Sequence, residues 1–413
     1  MFDIVVLSHR IPYPPNKGEK IRTYNQIKHL VELGFRVTVL APQESDEDTN
    51  HSNGLTKTLG VTCELFKTKP TWFKYVRGLC LGEPISVANF YSELLGNRLI
   101  ELLRMLDVRA LVCSSSAMAP YVFAVNGFLD SKLIKPRLIM DFMDLDSDKW
   151  LQYAANSRPP MKWIYQRESN KIRQLEIETV DVFDRSYFIS TNEVDLFLNQ
   201  SDVRNDIKKI EVVGNGLDTD AFYPSQQKNE KPAPIFLFTG VMDYKPNVDA
   251  VVWFVEHCWD SILDRYPDAE FVIAGMNPNR EVLELTKKSG VMVTGFVDDI
   301  LPFFHKSSIF VAPFRLARGV QNKILQAFAC GVAVVTTPMG AEGIACQSGT
   351  HLLLAERPGD IVQSIFNLLD NPSLKEKVEE NALALIHDTY SWAAQLKPLR
   401  DFLFEGLQHE TND

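Results

Sequence analysis

The stretch Phe314-Arg-Leu-Ala-Arg-Gly-Val-Gln-Asn-Lys-Ile-Leu-Gln-Ala-Phe-Ala-Cys-Gly-Val-Ala-Val-Val-Thr-Thr-Pro338 carries the strongest chemical signal in the chain. It reads as a strand end, a glycine turn, a helix from about Asn322 to Ala329, a stop at Gly331 and a buried Val-Ala-Val-Val strand. A helix that begins just past a strand offers free backbone N–H groups to an anion. Lys323 falls in its first turn, where a cation is unfavourable beside the helix dipole unless an anion lies between them. The diphosphate of a sugar nucleotide would be such an anion.

Four other segments place chemistry at strand ends. Ser8-His-Arg-Ile-Pro-Tyr-Pro-Pro-Asn-Lys-Gly-Glu-Lys-Ile-Arg22 follows the first strand. Its prolines stiffen the loop and Gly18 permits close approach of a ligand, while Arg10, Lys17, Lys20 and Arg22 favour a negatively charged guest. Asp141-Phe-Met-Asp-Leu-Asp-Ser-Asp-Lys-Trp150 clusters carboxylates, one of which can acquire the raised pKa of a general base. Asp144 is the functional candidate there. Ser147 or Asp146 is expected to cap a helix starting near Lys149, with Asp148 in its first turn. Thr239-Gly-Val-Met-Asp-Tyr-Lys-Pro-Asn247 pairs Gly240, open to close approach, with Asn247 as a cap and Lys245 facing either phosphate or water. In Thr294-Gly-Phe-Val-Asp-Asp299 a base could stack near Phe296 and bond the Val297 backbone.

These residues need a scaffold that aligns strand ends. Ile4–Leu7, Arg36–Leu40, Ala110–Cys113 and Leu138–Phe142 alternate with helical patterns such as Ile21–Leu33, the rhythm of a parallel sheet covered by helices. The polar, Pro-rich stretch 215–235 reads as a linker. The rhythm then restarts with Ile235–Thr239, Glu270–Ala274, Val291–Thr294, Ile309–Ala312 and Val332–Thr336. The expected division is a first domain over 1–214, a second over 215–390, and an amphipathic tail, 391–413, crossing back onto the first. Open sheets of this kind bind ligands beyond the carboxyl ends of their strands. The acidic segment Glu44–Asn53 reads as a mobile loop.

Bulk properties narrow the function. The chain has 413 residues, enough for two domains, with 45% hydrophobic and 23% charged residues. A net charge of −10 argues against general nucleic-acid binding. The six cysteines are scattered without CxxC spacing and do not cluster with the histidines, so reduced thiols in the cytosol are expected and zinc is not. No signal peptide and no run of about 20 apolar residues is visible. Two basic-aromatic regions, Phe66–Arg77 and Arg158–Arg167, suit either a solvated helix face or contact with an anionic membrane. No GxGxxG follows the first strand, which disfavours a nicotinamide enzyme.

In their order along the chain these motifs, together with Asn215-Gly-Leu-Asp218, resemble the two-domain GT-B glycosyltransferases. Within them the likeness is to the group-1 (family four) sugar transferases of bacterial exopolysaccharide systems, nearest the subgroup associated with PEP-CTERM/exosortase clusters. The resemblance implies two Rossmann-like parallel-sheet domains facing across a cleft, the second holding a nucleotide-sugar donor and the first a glycan acceptor, lipid-linked at the inner membrane face. It implies transfer with retention and no metal or other cofactor. Donor contacts are then expected from Gly18, Gly240, Lys245, Phe296, Val297, Gly319, Asn322, Lys323 and Gln326. Asp144 and Lys323 would be catalytic, and Arg10, Lys17, Arg22, Asp141 and Asp146 would contact acceptor or phosphate. The sequence departs from the broader class where two glutamates commonly stand eight positions apart: here they are Arg318 and Gln326. The paired Arg and Lys after the Gly240 strand is absent, and the usual first-domain His has no obvious match. A sugar-nucleotide-binding protein without activity and a sugar-nucleotide epimerase of the same shape are the alternatives.

Overall fold

The computed structural model describes residues 2–68, 78, 82–200, 206–226, 233–317 and 319–405. The chain divides into two units, one formed by Met1–Asn215 with Gln395–Asp413, the other by Gly216–Ala394. Each is built on one parallel sheet.

In the first unit the strands are β1 (Asp3–Ser8), β2 (Arg36–Gln43), β3 (Thr62–Lys67), β4 (Val108–Ser114), β5 (Arg137–Met143), β6 (Arg185–Phe188) and β7 (Ile210–Val212), in the order β3-β2-β1-β4-β5-β6-β7. In the second they are β8 (Ile235–Thr239), β9 (Glu270–Ala274), β10 (Val291–Gly295), β11 (Ile309–Ala312), β12 (Ala333–Thr336) and β13 (Leu353–Leu354), in the order β10-β9-β8-β11-β12-β13. Every residue of β1 and of β8 is buried, as strands covered by helices on both faces require. The strand order reverses between β1 and β4 and again between β8 and β11, the positions where such sheets open a crevice.

The helices that bear on function are α1 (Gly18–Glu32), α2 (Asp48–Leu59), α3 (Asp146–Ala155), α4 (Met161–Val182), α5 (Thr191–Gln200), α6 (Lys245–Phe254), α7 (Asn322–Ala329) and α8 (Lys397–Phe404). Register levels the strand ends: Ser8 pairs with Ser114 and Ser114 with Asp141 in the first sheet, Thr239 with Ala274 and Ala312 with Thr336 in the second. The segments that follow those residues therefore emerge side by side.

Three expectations change. The Glu44–Asn53 stretch is not a loop throughout: α2 starts within it, and Asp48 Oδ2 accepts the Glu44 and Ser45 N–H groups at 2.7 and 2.8 Å. Gly54 sits inside that helix because a Cβ there would meet the Tyr13 ring at 2.5 Å. The start of the expected linker is packed: Leu217 N–H donates to Tyr390 O at 2.6 Å, and the Phe222 ring meets Phe304 edge-on, 6.1 Å between centroids. In the C-terminal segment, a short helix Trp392–Gln395 precedes α8. The guanidinium groups of Arg137 and Arg185 each lie 4.5 Å from the centroid of the Phe402 ring on α8. Residues 69–77 of the first basic-aromatic region, and 227–232 of the linker, lie outside the described residues.

Candidate functional site

In the second unit the site grows from α7. The helix follows Gly319, which adopts the left-handed conformation (φ 67°), and no side chain caps its start. Lys323 points from the first turn onto the rings of Phe238 and Phe314, its Nζ 4.8 and 5.0 Å from their centroids. Both rings are buried. Nζ donates to Asn247 Oδ1 at 2.6 Å, and Asn247 Nδ2 donates to Val241 O at 2.9 Å. Among the described residues no carboxylate pairs with Lys323. Burial lowers its pKa to about 8. Two ring faces and one amide oxygen do not replace the water the ammonium has lost, and the helix N-terminus adds positive potential.

Gly240 is where the β8 loop meets this lysine. A Cβ there would lie 2.6 Å from Asn247 Nδ2 and 2.9 Å from Lys323 Nζ, so a larger residue would displace the Asn247 amide and the Lys323 ammonium. Gly275 lies against it, since a Cβ on Gly275 would meet Gly240 O at 1.7 Å. Gly275 N–H in turn donates to Gly295 O at 3.2 Å. Three glycines thus stand at the carboxyl ends of β8, β9 and β10, exposing backbone rather than side chains. Gly275 was missed in the sequence, though Phe271-Val-Ile-Ala-Gly275 repeats the strand-then-glycine pattern of Thr239-Gly240 and Thr294-Gly295.

The structure thus brings Lys323, Asn247 and Gly240 together. Lys245 is exposed as the first residue of α6, Phe296 is 67% exposed beyond β10, and Val297 is half-buried. The side chain of Lys323 instead meets Asn247, Phe238 and Phe314. Asn322 is exposed at the start of α7 and Gln326 half-buried one turn on. Arg318 lies outside the described residues.

In the first unit four of the five expected acceptor or phosphate contacts are engaged with other protein groups. Arg22 and Asp141 are buried as a two-pronged ion pair, Nε to Oδ2 at 2.7 Å and Nη2 to Oδ1 at 2.9 Å. Arg22 Nη1 donates to Gly214 O and Asn215 Oδ1, both at 3.1 Å, and Gln26 also donates to Asp141. The expectation that Arg22 and Asp141 contact a ligand is corrected: with side chains 1% and 0% exposed they tie α1 to β5. Arg10 bridges Glu19 at 2.9 Å and Glu44 at 3.0 Å, so its charge is neutralised at a partly open position. Lys17 and Gly18 are exposed at the start of α1. Gly18 is ordinary helix with open space around it, and no close approach there requires a glycine.

Asp144 is exposed just past Met143, a non-glycine residue in the left-handed region (φ 63°). Asp146 accepts from Ser116 Oγ at 3.1 Å, and burial raises its pKa. The expected Ser147 or Asp146 cap is absent: α3 begins at Asp146 itself, without a side-chain cap from its N-cap residue Leu145. Its amides go to carboxyl groups of other helices. Leu145 N–H donates to Glu193 Oε1 at 3.3 Å and Ser147 N–H to Glu176 Oε1 at 3.1 Å. His9, also passed over, lies at the end of β1 with Nδ1 3.3 Å from Ser114 O, and burial lowers its pKa to about 4, leaving it neutral at pH 7. Among the described residues no group of three or more His, Cys, Asp or Glu is placed to hold a metal ion. No described helix is long and apolar enough to cross a membrane.

Comparison with known proteins meets this geometry. Residues 233–371 match the family described as "Glycosyl transferases group 1". A protein of Klebsiella pneumoniae, "Uncharacterized 44.6 kDa protein in cps region", is 23% identical over 94% of this chain and 97% of its own length. An uncharacterized glycosyltransferase of Methanocaldococcus jannaschii is 28% identical over 29% of this chain and 31% of its own. Among solved structures, Anabaena HepE in complex with UDP superposes with a TM-score of 0.62 at 12% identity, covering 98% of this chain and 100% of that one. Sucrose-phosphate synthase of Thermosynechococcus elongatus does so with a TM-score of 0.55 at 13% identity, covering 99% and 100%. The chain accordingly has the two Rossmann-like parallel-sheet domains of the GT-B fold, and its residues 233–371 are similar to the group 1 glycosyl transferases.

Proposed function

We propose that this protein transfers a sugar, with retention, from a nucleotide-diphosphate donor to a lipid-linked glycan in exopolysaccharide assembly of the PEP-CTERM/exosortase type. The observation that carries the reading is Lys323: an ammonium without a counter-charge among the described residues, at the uncapped start of a helix beside a glycine-lined strand edge. A diphosphate supplies the missing negative charge and accepts the free N–H groups of α7. Structures of HepE, which shares the fold, carry UDP and UDP-glucose, and the Klebsiella relative is described as lying in a cps region, which supports the class of donor and the setting.

As the bond from the sugar to the diphosphate breaks, negative charge grows on the leaving oxygen. Lys323 and the α7 amides stabilise it, and the new bond forms to an acceptor hydroxyl whose proton passes to the leaving diphosphate oxygen. Asp144 orients that hydroxyl. Gly240 gives the diphosphate room, Gln326 meets the ribose hydroxyls, and Phe296 with the Val297 backbone meets the base. No metal is needed in this scheme.

Calorimetric titration with UDP-, GDP-, ADP- and dTDP-glucose tests the reading. One of them should bind, and Lys323→Ala should lose that binding; equal affinity in the variant removes Lys323 from the site. The inactive-binder alternative draws on Gln326 standing where a glutamate is usual. Donor binding without hydrolysis or transfer, across a panel of lipid-linked acceptors, favours it.

The second basic-aromatic region supports a peripheral position at an anionic membrane. Trp163 (66% exposed), Met161, Tyr153 and Leu151 stand out with Lys149, Arg158 and Lys162 on the α3–α4 hairpin. Flotation with phosphatidylglycerol vesicles checks it: the wild type should float and Trp163→Ser should float less.

A further inference from the structure

The turn that presents Asp144 is held in an unusual way. Two adjacent strands, β4 and β5, each end in a non-glycine residue at positive φ, Ser115 (78°) and Met143 (63°), and Ser115 N–H donates to Asp141 O at 2.9 Å. Left-handed backbone at such residues persists only where the surroundings enforce it. Within the turn Met143 N–H donates to Asp141 Oδ1 at 3.3 Å, and further restraint comes from outside it. Glu193 on α5 accepts the N–H just after Asp144, and Glu176 on α4 accepts that of Ser147, two residues further on. Ser169 Oγ, also on α4, donates to Ser147 O at 2.8 Å.

Both glutamates are wasteful as packing. Glu176 is 0% exposed, and the second carboxyl oxygen of each is buried with no well-aligned hydrogen bond among the described residues, although the Ser147 side chain lies near Glu176 and the Ile189 N–H near Glu193. Burial raises Glu176 to about 8 and, with the Asp144 charge contributing, Glu193 to about 7. Burying a carboxyl whose second oxygen is poorly hydrogen-bonded opposes folding. An apolar side chain would avoid that penalty but could not accept an N–H.

We infer that Glu176 and Glu193 are positioning residues that fix the Asp144 turn for the acceptor step, acting through the backbone amides of Leu145 and Ser147. The inference rests on the proposed transferase reading, since it is Asp144 that they position.

The test compares Glu176→Ala and Glu193→Ala with Glu176→Gln and Glu193→Gln, the amides keeping an acceptor oxygen of the same reach. The alanine variants should lose roughly ten- to hundredfold in transfer kcat. Donor affinity, read by calorimetry, should not change, and the glutamine variants should recover most of the rate. Wild-type kcat in the folded alanine variants overturns the inference, as does a glutamine variant no better than alanine. If Glu176→Ala does not fold, the half-buried Glu193 decides alone. Hydrogen exchange of the Leu145 and Ser147 amides reads the clamp without activity: it should quicken in the alanine variants and return with glutamine. Unchanged exchange overturns the clamp even if the wild type transfers nothing. An inactive wild type with the expected exchange pattern instead removes the transferase reading and with it the acceptor role, leaving only the clamp.

Discussion

The two units treat their strand-end charges in opposite ways. In the first, Arg22 is matched to Asp141 and Arg10 to Glu19 and Glu44. In the second, Arg315 beyond β11 is matched to Asp249 at 2.5 Å, yet Lys323 a few residues on has only an amide oxygen and two phenylalanine faces. A buried pair is satisfied and holds elements together. A desolvated cation without an anion is unsatisfied, and a ligand of opposite charge would complete it. The contrast separates charges that are matched within the protein from Lys323, which has no carboxylate partner among the described residues, although all of them look alike in the sequence.

The largest effect should come from breaking the satisfied pair. Arg22→Met leaves Asp141 buried without its main partner, and denaturant unfolding should show a loss of about 3–5 kcal/mol. The double variant Arg22→Met/Asp141→Asn should regain part of it. If the single variant loses nothing, the pair is no frame element and the comparison collapses.

Lys323→Met should do the reverse. Donor affinity should fall by roughly ten- to hundredfold, the range of one lost charge-assisted contact, while the melting temperature of the unliganded protein holds or rises. A large loss of stability would make Lys323 a structural residue like Arg22.

The pH dependence sharpens the point. The folded pKa of Lys323, about 8, lies below the usual lysine value of 10.5. Between the two values the unfolded chain binds more protons, so this lysine makes the unliganded protein more stable as pH rises from about 8 towards 10.5. Donor binding goes the other way, because the diphosphate selects the protonated form. Affinity should weaken by up to about tenfold per pH unit above 8, with proton uptake on binding. Calorimetry at pH 8.5 in buffers of different ionisation enthalpy reads that uptake directly, and no uptake would mean the diphosphate does not meet this ammonium.

The smallest effect concerns Gln326. Restoring the carboxylate with Gln326→Glu should strengthen donor binding by only a few-fold, about 1 kcal/mol for a charged in place of a neutral hydrogen bond. No change would place the ribose elsewhere.

Much of the frame was legible because it is written locally. Apolar runs such as Ile4–Leu7 and Ile235–Thr239 became central strands, and the glycine-Lys323 segment became a turn and a helix in the expected place. Helix α2 was hidden for a physical reason: Gly54 and its polar neighbours lower helix propensity, and the contact that favours glycine there comes from Tyr13, far away in the chain. The start of α3 was misread in the same way. Ser147 and Asp146 have the composition of a cap, but Glu176 and Glu193 reach the amides from other helices.

By itself the sequence determined where central strands such as β8 end and where α7 begins, and so which residues lie at those carboxyl edges, because those signals depend on spacings of a few residues. Only the tertiary structure decided which charges there are available. Arg22 and Asp141 are separated by 119 positions, and Asn247 and Lys323 by 76. Whether a charge is matched or left waiting depends on distance in space and on burial, neither of which local spacing encodes.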